Sequence, residues 1–85
     1  MINSGYDINS IFEDGITPLI SASHYGRFEI VELLVKAGTN INTVDVDYYS
    51  PLFYAKYRQF EDIVDFLTPL TNLELREIVQ QKLEY

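Results

Sequence analysis

The feature that most constrains this 85-residue chain is that it repeats itself at an interval of 33 residues. Thr17-Pro18-Leu19 returns as Ser50-Pro51-Leu52, and Ile30-Val31 returns as Ile63-Val64. Gly5 and Gly38, Ile8 and Ile41, Asn9 and Asn42, Ala22 and Ala55, and Leu34 and Leu67 share the same interval. A fixed period of this length marks one supersecondary unit stacked on copies of itself. Each unit is too thin to bury its apolar face alone, so neighbours must complete the core.

The punctuation inside each unit predicts two helices. Thr17 and Ser50 precede a proline and fit helix N-caps, where a hydroxyl accepts from an otherwise unpaired amide of the first turn. Pro18 and Pro51 fit the first helical position, where no N–H is needed. A short helix is expected from Pro18 to about His24, ended by Gly26, which permits a left-handed turn. A second begins near Phe28, carries Ile30, Val31, Leu33 and Leu34 on a broad apolar face, and stops at Gly38. The following stretch, "TNINTVDVDYYS", alternates Ile and Val among turn formers and reads as an extended finger or hairpin.

The second copy is less regular. Its helices are expected over Pro51–Tyr57 and Glu61–Leu67, with Pro69 forcing an early end. Gln59 stands where the first copy has Gly26 and must take the left-handed turn at some cost. Tyr48 stands where the first copy has Gly15, so the second finger is expected to bend differently. After Leu70 the period breaks. Thr71 with Glu74 fits a capping box, and Leu70 with Leu75 fits a hydrophobic staple. A last helix is expected over residues 72–84, burying Leu75, Ile78, Val79 and Leu83 and showing Glu74, Glu77, Gln81 and Glu84 to solvent.

Together the capping, glycine and leucine positions of "DGITPLISASHYGRFEIVELLVKAGTNIN" resemble the ankyrin repeat, whose pattern is close to D-x-x-G-x-T-P-L-H-x-A-A-x-x-G-H-x-x-I-V-x-x-L-L-x-x-G-A-x-x-N. The resemblance runs from Gly5 to about Leu67. It implies an all-α ankyrin-repeat solenoid, in which helix–turn–helix units stack and β-hairpin fingers line one edge. In that frame the chain is a single domain: residues 1–14 supply the tail of a preceding repeat, 15–47 a repeat, 48–70 a degenerate repeat and 71–85 a capping helix. Ile20 and Phe53 occupy the place of the family's histidine, so its hydrogen bond to the turn is lost.

Composition narrows the function. No cysteine is present, which removes disulfides, thiol nucleophiles and cysteine-based zinc sites and fits a reducing compartment. The N-terminal ten residues lack the basic and apolar regions of a secretory signal, and no apolar run is long enough for a membrane span. A soluble, cytoplasmic protein is expected. The formal charge is −7, from thirteen acids and six bases, which repels phosphate backbones and favours a basic protein partner over nucleic acid.

Catalytic and metal chemistry find little support. His24 is the lone histidine, and its neighbour Ser23 cannot face it on a helix, so no hydrolytic triad forms from them. "DVDYYS" (Asp45 to Ser50) lacks the glycine and distal glutamate of a calcium loop, and reads as a finger turn whose Asp side chains bond local amides. No glycine-rich phosphate motif occurs. No enzyme activity, cofactor or metal is therefore expected.

The aromatic residues are the main functional signal. Phe53 and Tyr54 are assigned to packing. The ankyrin frame implies a recognition set of Glu13, Asp14, Ile16, His24, Tyr25, Val46, Asp47, Tyr49, Tyr57 and Arg58 on a concave, acidic and aromatic surface. Exposed aromatics gathered on one face usually signal binding. The leading expectation is a protein-binding module. One alternative is a small inhibitor or immunity-type protein that blocks a toxin or enzyme. Another is a structural module that self-associates through its N-terminal side, with Ile2, Tyr6, Ile8, Ile11 and Phe12 as the apolar surface.

Overall fold

A computed structural model describes residues 11–83. Ile2, Gly5, Tyr6, Ile8 and Asn9, and Glu84 at the other end, lie outside the described residues. Five α-helices follow one another: α1 (Pro18–His24), α2 (Phe28–Lys36), α3 (Pro51–Tyr57), α4 (Glu61–Leu67) and α5 (Leu73–Leu83). Single 3-10 turns occupy Glu13–Gly15 and Thr68–Leu70.

The helix starts follow the sequence reading. Thr17 Oγ1 accepts from the Ile20 amide at 3.2 Å, and Ser50 Oγ accepts from the Phe53 amide at 3.1 Å. The helix ends repeat as faithfully. Arg27 donates to the Ala22 carbonyl, Thr39 to Leu34 and Phe60 to Ala55, each donor directly following a left-handed residue and closing a six-residue loop. Those left-handed residues are Gly26, Gly38 and Gln59, so Gln59 adopts the turn without being glycine.

α1 packs on α3, and α2 on α4, so equal positions of the two repeats meet. Leu19, Val31, Leu34, Leu52, Ala55, Ile63 and Leu67 form one core. α5 closes the far side by adding Val79, with Leu83 against the cluster.

Four expectations are corrected. The apolar face expected on α2 splits: Val31 and Leu34 are buried, but Ile30 and Leu33 are exposed. Their helical spacing holds, but no described element packs on that side of α2. The α5 cap is Asn72, whose side-chain oxygen accepts from the Leu75 amide at 2.9 Å. Thr71 instead donates its hydroxyl to the Leu67 carbonyl, finishing the preceding turn, so it does not form the capping box with Glu74. Tyr48 takes the same left-handed conformation as Gly15, and the fingers differ one residue earlier, at Asp14, which is left-handed while Asp47 is not. Finally, the fingers are tight turns; no strand is present among the described residues.

Candidate functional site

The two fingers are built alike. Phe12 donates to the Ile16 carbonyl and Gly15 to Phe12; one repeat later Asp45 donates to Tyr49 and Tyr48 to Asp45. The fingers stack through one backbone bond, Val46 N–H to the Asp14 carbonyl at 2.9 Å. This leaves Glu13, Asp14, Val46 and Asp47 exposed at the tips, while Ile16 is half-buried.

The second finger is held from inside by Asp45. Its carboxylate is buried and accepts from the Asp47 and Tyr49 amides, both at 2.9 Å, and from the Tyr54 hydroxyl. Asp45 thus makes the local amide bonds expected of an Asp in this turn. The Tyr54 bond goes further, because it ties α3 to the finger where the family's histidine is missing. Burial first, then the Asp45 hydrogen bond and the charges of Asp45 and Asp47, push the Tyr54 phenol well above the usual tyrosine range.

Tyr54 also touches His24 across the repeat boundary, with ring centroids 5.0 Å apart in an edge-on arrangement. His24 Nε2 lies 3.0 Å from an Arg58 guanidinium nitrogen. A guanidinium only donates, so in this geometry the imidazole accepts through Nε2. Tyr25 lies edge-on to His24 at 4.7 Å. A connected path therefore runs from the finger through Asp45, Tyr54 and His24 to Arg58. Tyr25 lies at that end and Tyr57 precedes Arg58 in the chain, each 62% exposed.

Apart from the half-buried Ile16, the expected recognition residues fall into three groups. His24, Tyr25 and Arg58 are in contact. Glu13, Asp14, Val46 and Asp47 share the finger tips. Tyr49 lies apart: it is half-buried, stacks on Phe53 at 4.2 Å, and carries the Lys82 ammonium 4.9 Å above its ring. Tyr57 continues that column, parallel to Phe53 at 5.8 Å. Tyr49, Phe53, Tyr54, Tyr57 and the end of α5 line an open groove of about 540 Å³. Packing claims Phe53, as expected, and much of Tyr49.

Charge on this surface is divided. The finger tips carry Glu13, Asp14 and Asp47, whereas the end of α3 carries exposed Lys56 and is followed by exposed Arg58, which lies beside His24. Most remaining described acids sit on α2, α4 and α5. Asp45 and Tyr54 were missed as organisers of the site. The usable signal was an Asp in the finger nine residues before a Tyr on the following helix.

This architecture matches a known family. The ankyrin-repeat model, which describes three copies, matches residues 1–77. The chain belongs to the ankyrin-repeat family. An ankyrin-repeat protein of Borreliella burgdorferi is 36% identical over 66 residues, covering 78% of this chain and 29% of the relative. The Notch-regulated ankyrin repeat-containing protein of Xenopus tropicalis is 37% identical over 67 residues, covering 79% of this chain and 59% of the relative. Mouse Rabankyrin-5 is 32% identical over 87 aligned positions, covering 88% of this chain and 7% of the relative. The chain thus spans 59% or less of the length of these relatives. Ankyrin repeats generally mediate protein–protein interaction and are typically non-catalytic. No helix among the described residues is long and apolar enough to cross a membrane.

Proposed function

We propose that the chain binds a partner protein through the face that joins the finger tips to the ends of α1 and α3. The observation that carries this reading is a pair of tyrosines, each 62% exposed: Tyr25 against His24, and Tyr57 next in the chain to the Arg58 that meets His24. Tyrosine and arginine are the residue types most often found as interface anchors, because they offer large contact area with a polar end. Glu13, Asp14 and Asp47 supply an acidic flank suited to basic groups of the partner, and Arg58 suits an acidic one. The partner surface that fits has both signs, with an apolar element between them. The cysteine-free composition fits a reducing compartment, so we place this activity in the cytoplasm.

The test is capture of partners from the source cells by the tagged chain, followed by affinity measurement with the purified partner. Replacing Tyr57 and Arg58 together by Ala is expected to weaken binding at least about tenfold, equivalent to about 1.4 kcal/mol. The melting temperature should stay near the parent value, because both side chains are exposed. Unchanged affinity in a folded double variant would remove this face from the interface. The inhibitor version of the reading rests on size and acidity, and would be supported by loss of the partner's own activity on binding.

A second reading, self-association through the N-terminal side, is favoured by a separate observation. The outward apolar side chains of α2, Ile30 and Leu33, are uncovered.

A further inference from the structure

The repeat gives an internal measure of what is uncovered. Ile63 lies on α4, which packs on α2, and is fully buried; its equivalent one repeat earlier, Ile30, is 47% exposed. Phe66 on α4 is half-buried and meets Phe28 of α2 edge-on at 5.6 Å; its equivalent, Leu33, is 57% exposed. Among the described residues, no helix covers on α2 the surface that α4 uses to receive one. On helical spacing, Ile30, Leu33 and Ala37 form one stripe along α2, and all three are exposed.

The charges beside this stripe indicate what covers it. Glu29 lies at its N-terminal end and Lys36 at its C-terminal end, both exposed and on the same flank of the stripe. A second α2 laid antiparallel across it, related by a two-fold axis at Leu33, places Leu33 on Leu33 and Ile30 near Ala37 of the other copy. The flanking charges then match: Glu29 of each copy approaches Lys36 of the other. A parallel pair places like charges at the same height and loses this match. Opposed helix dipoles also favour the antiparallel arrangement. Among the described residues Lys36 pairs with Glu32 in a long, exposed contact at 3.9 Å, which holds it weakly and leaves it able to turn.

We propose that two copies of the chain pair through the Ile30–Leu33–Ala37 stripe of α2, antiparallel and about a two-fold axis. This deepens the self-association reading and moves its apolar surface from Ile11 and Phe12 to α2. It does not depend on the binding face around Tyr57, which stays open in the pair. A single helix face is at the small end of interface sizes, so the dimer is weak and concentration-dependent.

The experiment is sedimentation equilibrium of the full chain from micromolar to millimolar concentration. The apparent mass is expected to rise from 9.9 kDa toward twice that value and no further. Leu33→Glu should hold the chain at the monomer mass while leaving its helical circular dichroism intact. Glu29→Lys alone should weaken the dimer about tenfold or more, at about 1.4 kcal/mol per factor of ten. Adding Lys36→Glu to it should restore the dimer, since the swapped charges again oppose. A monomer throughout, an unlimited rise in mass, or a dimer indifferent to Leu33→Glu would each overturn the proposal. So would failure of the double charge swap to recover what the single change lost. Loss of the dimer on Ile11→Asp with Phe12→Asp, but not on Leu33→Glu, would assign self-association to the finger base instead.

Discussion

Gly26→Ala tests how the two repeats lock together. Gly26 has φ of +72°, and a methyl group placed there would lie 2.8 and 2.9 Å from two ring carbons of Phe60. Holding an L-residue in the left-handed region costs about 1–2 kcal/mol. Phe60 is half-buried and packed against the core, so moving its ring disturbs that packing. Displacing a packed ring adds roughly 1–3 kcal/mol. The expected total is therefore about 2–5 kcal/mol, and the melting temperature should fall by about 10 °C or more for a domain of this size. The repeat supplies its own control. Gln59 holds the same position in the second unit, at φ of +64°. Gln59→Gly removes the conformational cost and adds chain entropy to the unfolded state, so stability should change by no more than about 1 kcal/mol. Urea denaturation followed by circular dichroism measures all three proteins. A Phe60→Leu background should reduce the Gly26→Ala loss to the backbone part, about 1–2 kcal/mol. A loss below about 1 kcal/mol for Gly26→Ala in the parent would refute the steric lock.

Two further outcomes follow from the finger and the cap. Tyr54→Phe keeps the ring and removes its bond to Asp45, which should cost about 1 kcal/mol at neutral pH. Because folding raises the Tyr54 phenol, its contribution is complete below the unfolded value of about 10 and is lost as pH rises through the folded value. The parent should therefore lose stability above about pH 10, and the variant should lose less over the same range; parallel alkaline curves would show that Tyr54 is not the group responsible. Asn72→Ala should cost about 1 kcal/mol as a lost N-cap. Thermal melts that ranked Glu74→Ala as the more damaging change would restore the capping box.

Much of the fold was legible because its signals are local. Thr17, Ser50, the two prolines and the glycines each specify one backbone event, and the 33-residue interval joined these events into a stack. What failed was information about neighbours. Ile30 and Leu33 have the right spacing for a buried face, but spacing gives the direction of a side chain and not whether anything lies opposite it. Thr71 and Asn72 can both cap a helix; the choice depended on Thr71 finding the Leu67 carbonyl first. Tyr49 holds a surface position in the repeat frame, yet α5 brings Lys82 over it, because the last unit is followed by a helix instead of another finger. The Asp45–Tyr54 tie was hidden for the same reason: a Tyr on a helix face reads as packing until the finger folds against it.

Photocrosslinking in the source cells tests the central claim most directly. A benzophenone amino acid would replace Tyr25 or Tyr57, each 62% exposed on the proposed face, or Glu61 or Asp65, exposed on α4. The account predicts that Tyr25 and Tyr57 positions yield the same protein adduct and that the α4 positions do not. Adducts to that protein from α4 alone, or equally from every position, would contradict a binding face built at the fingers and short-helix ends.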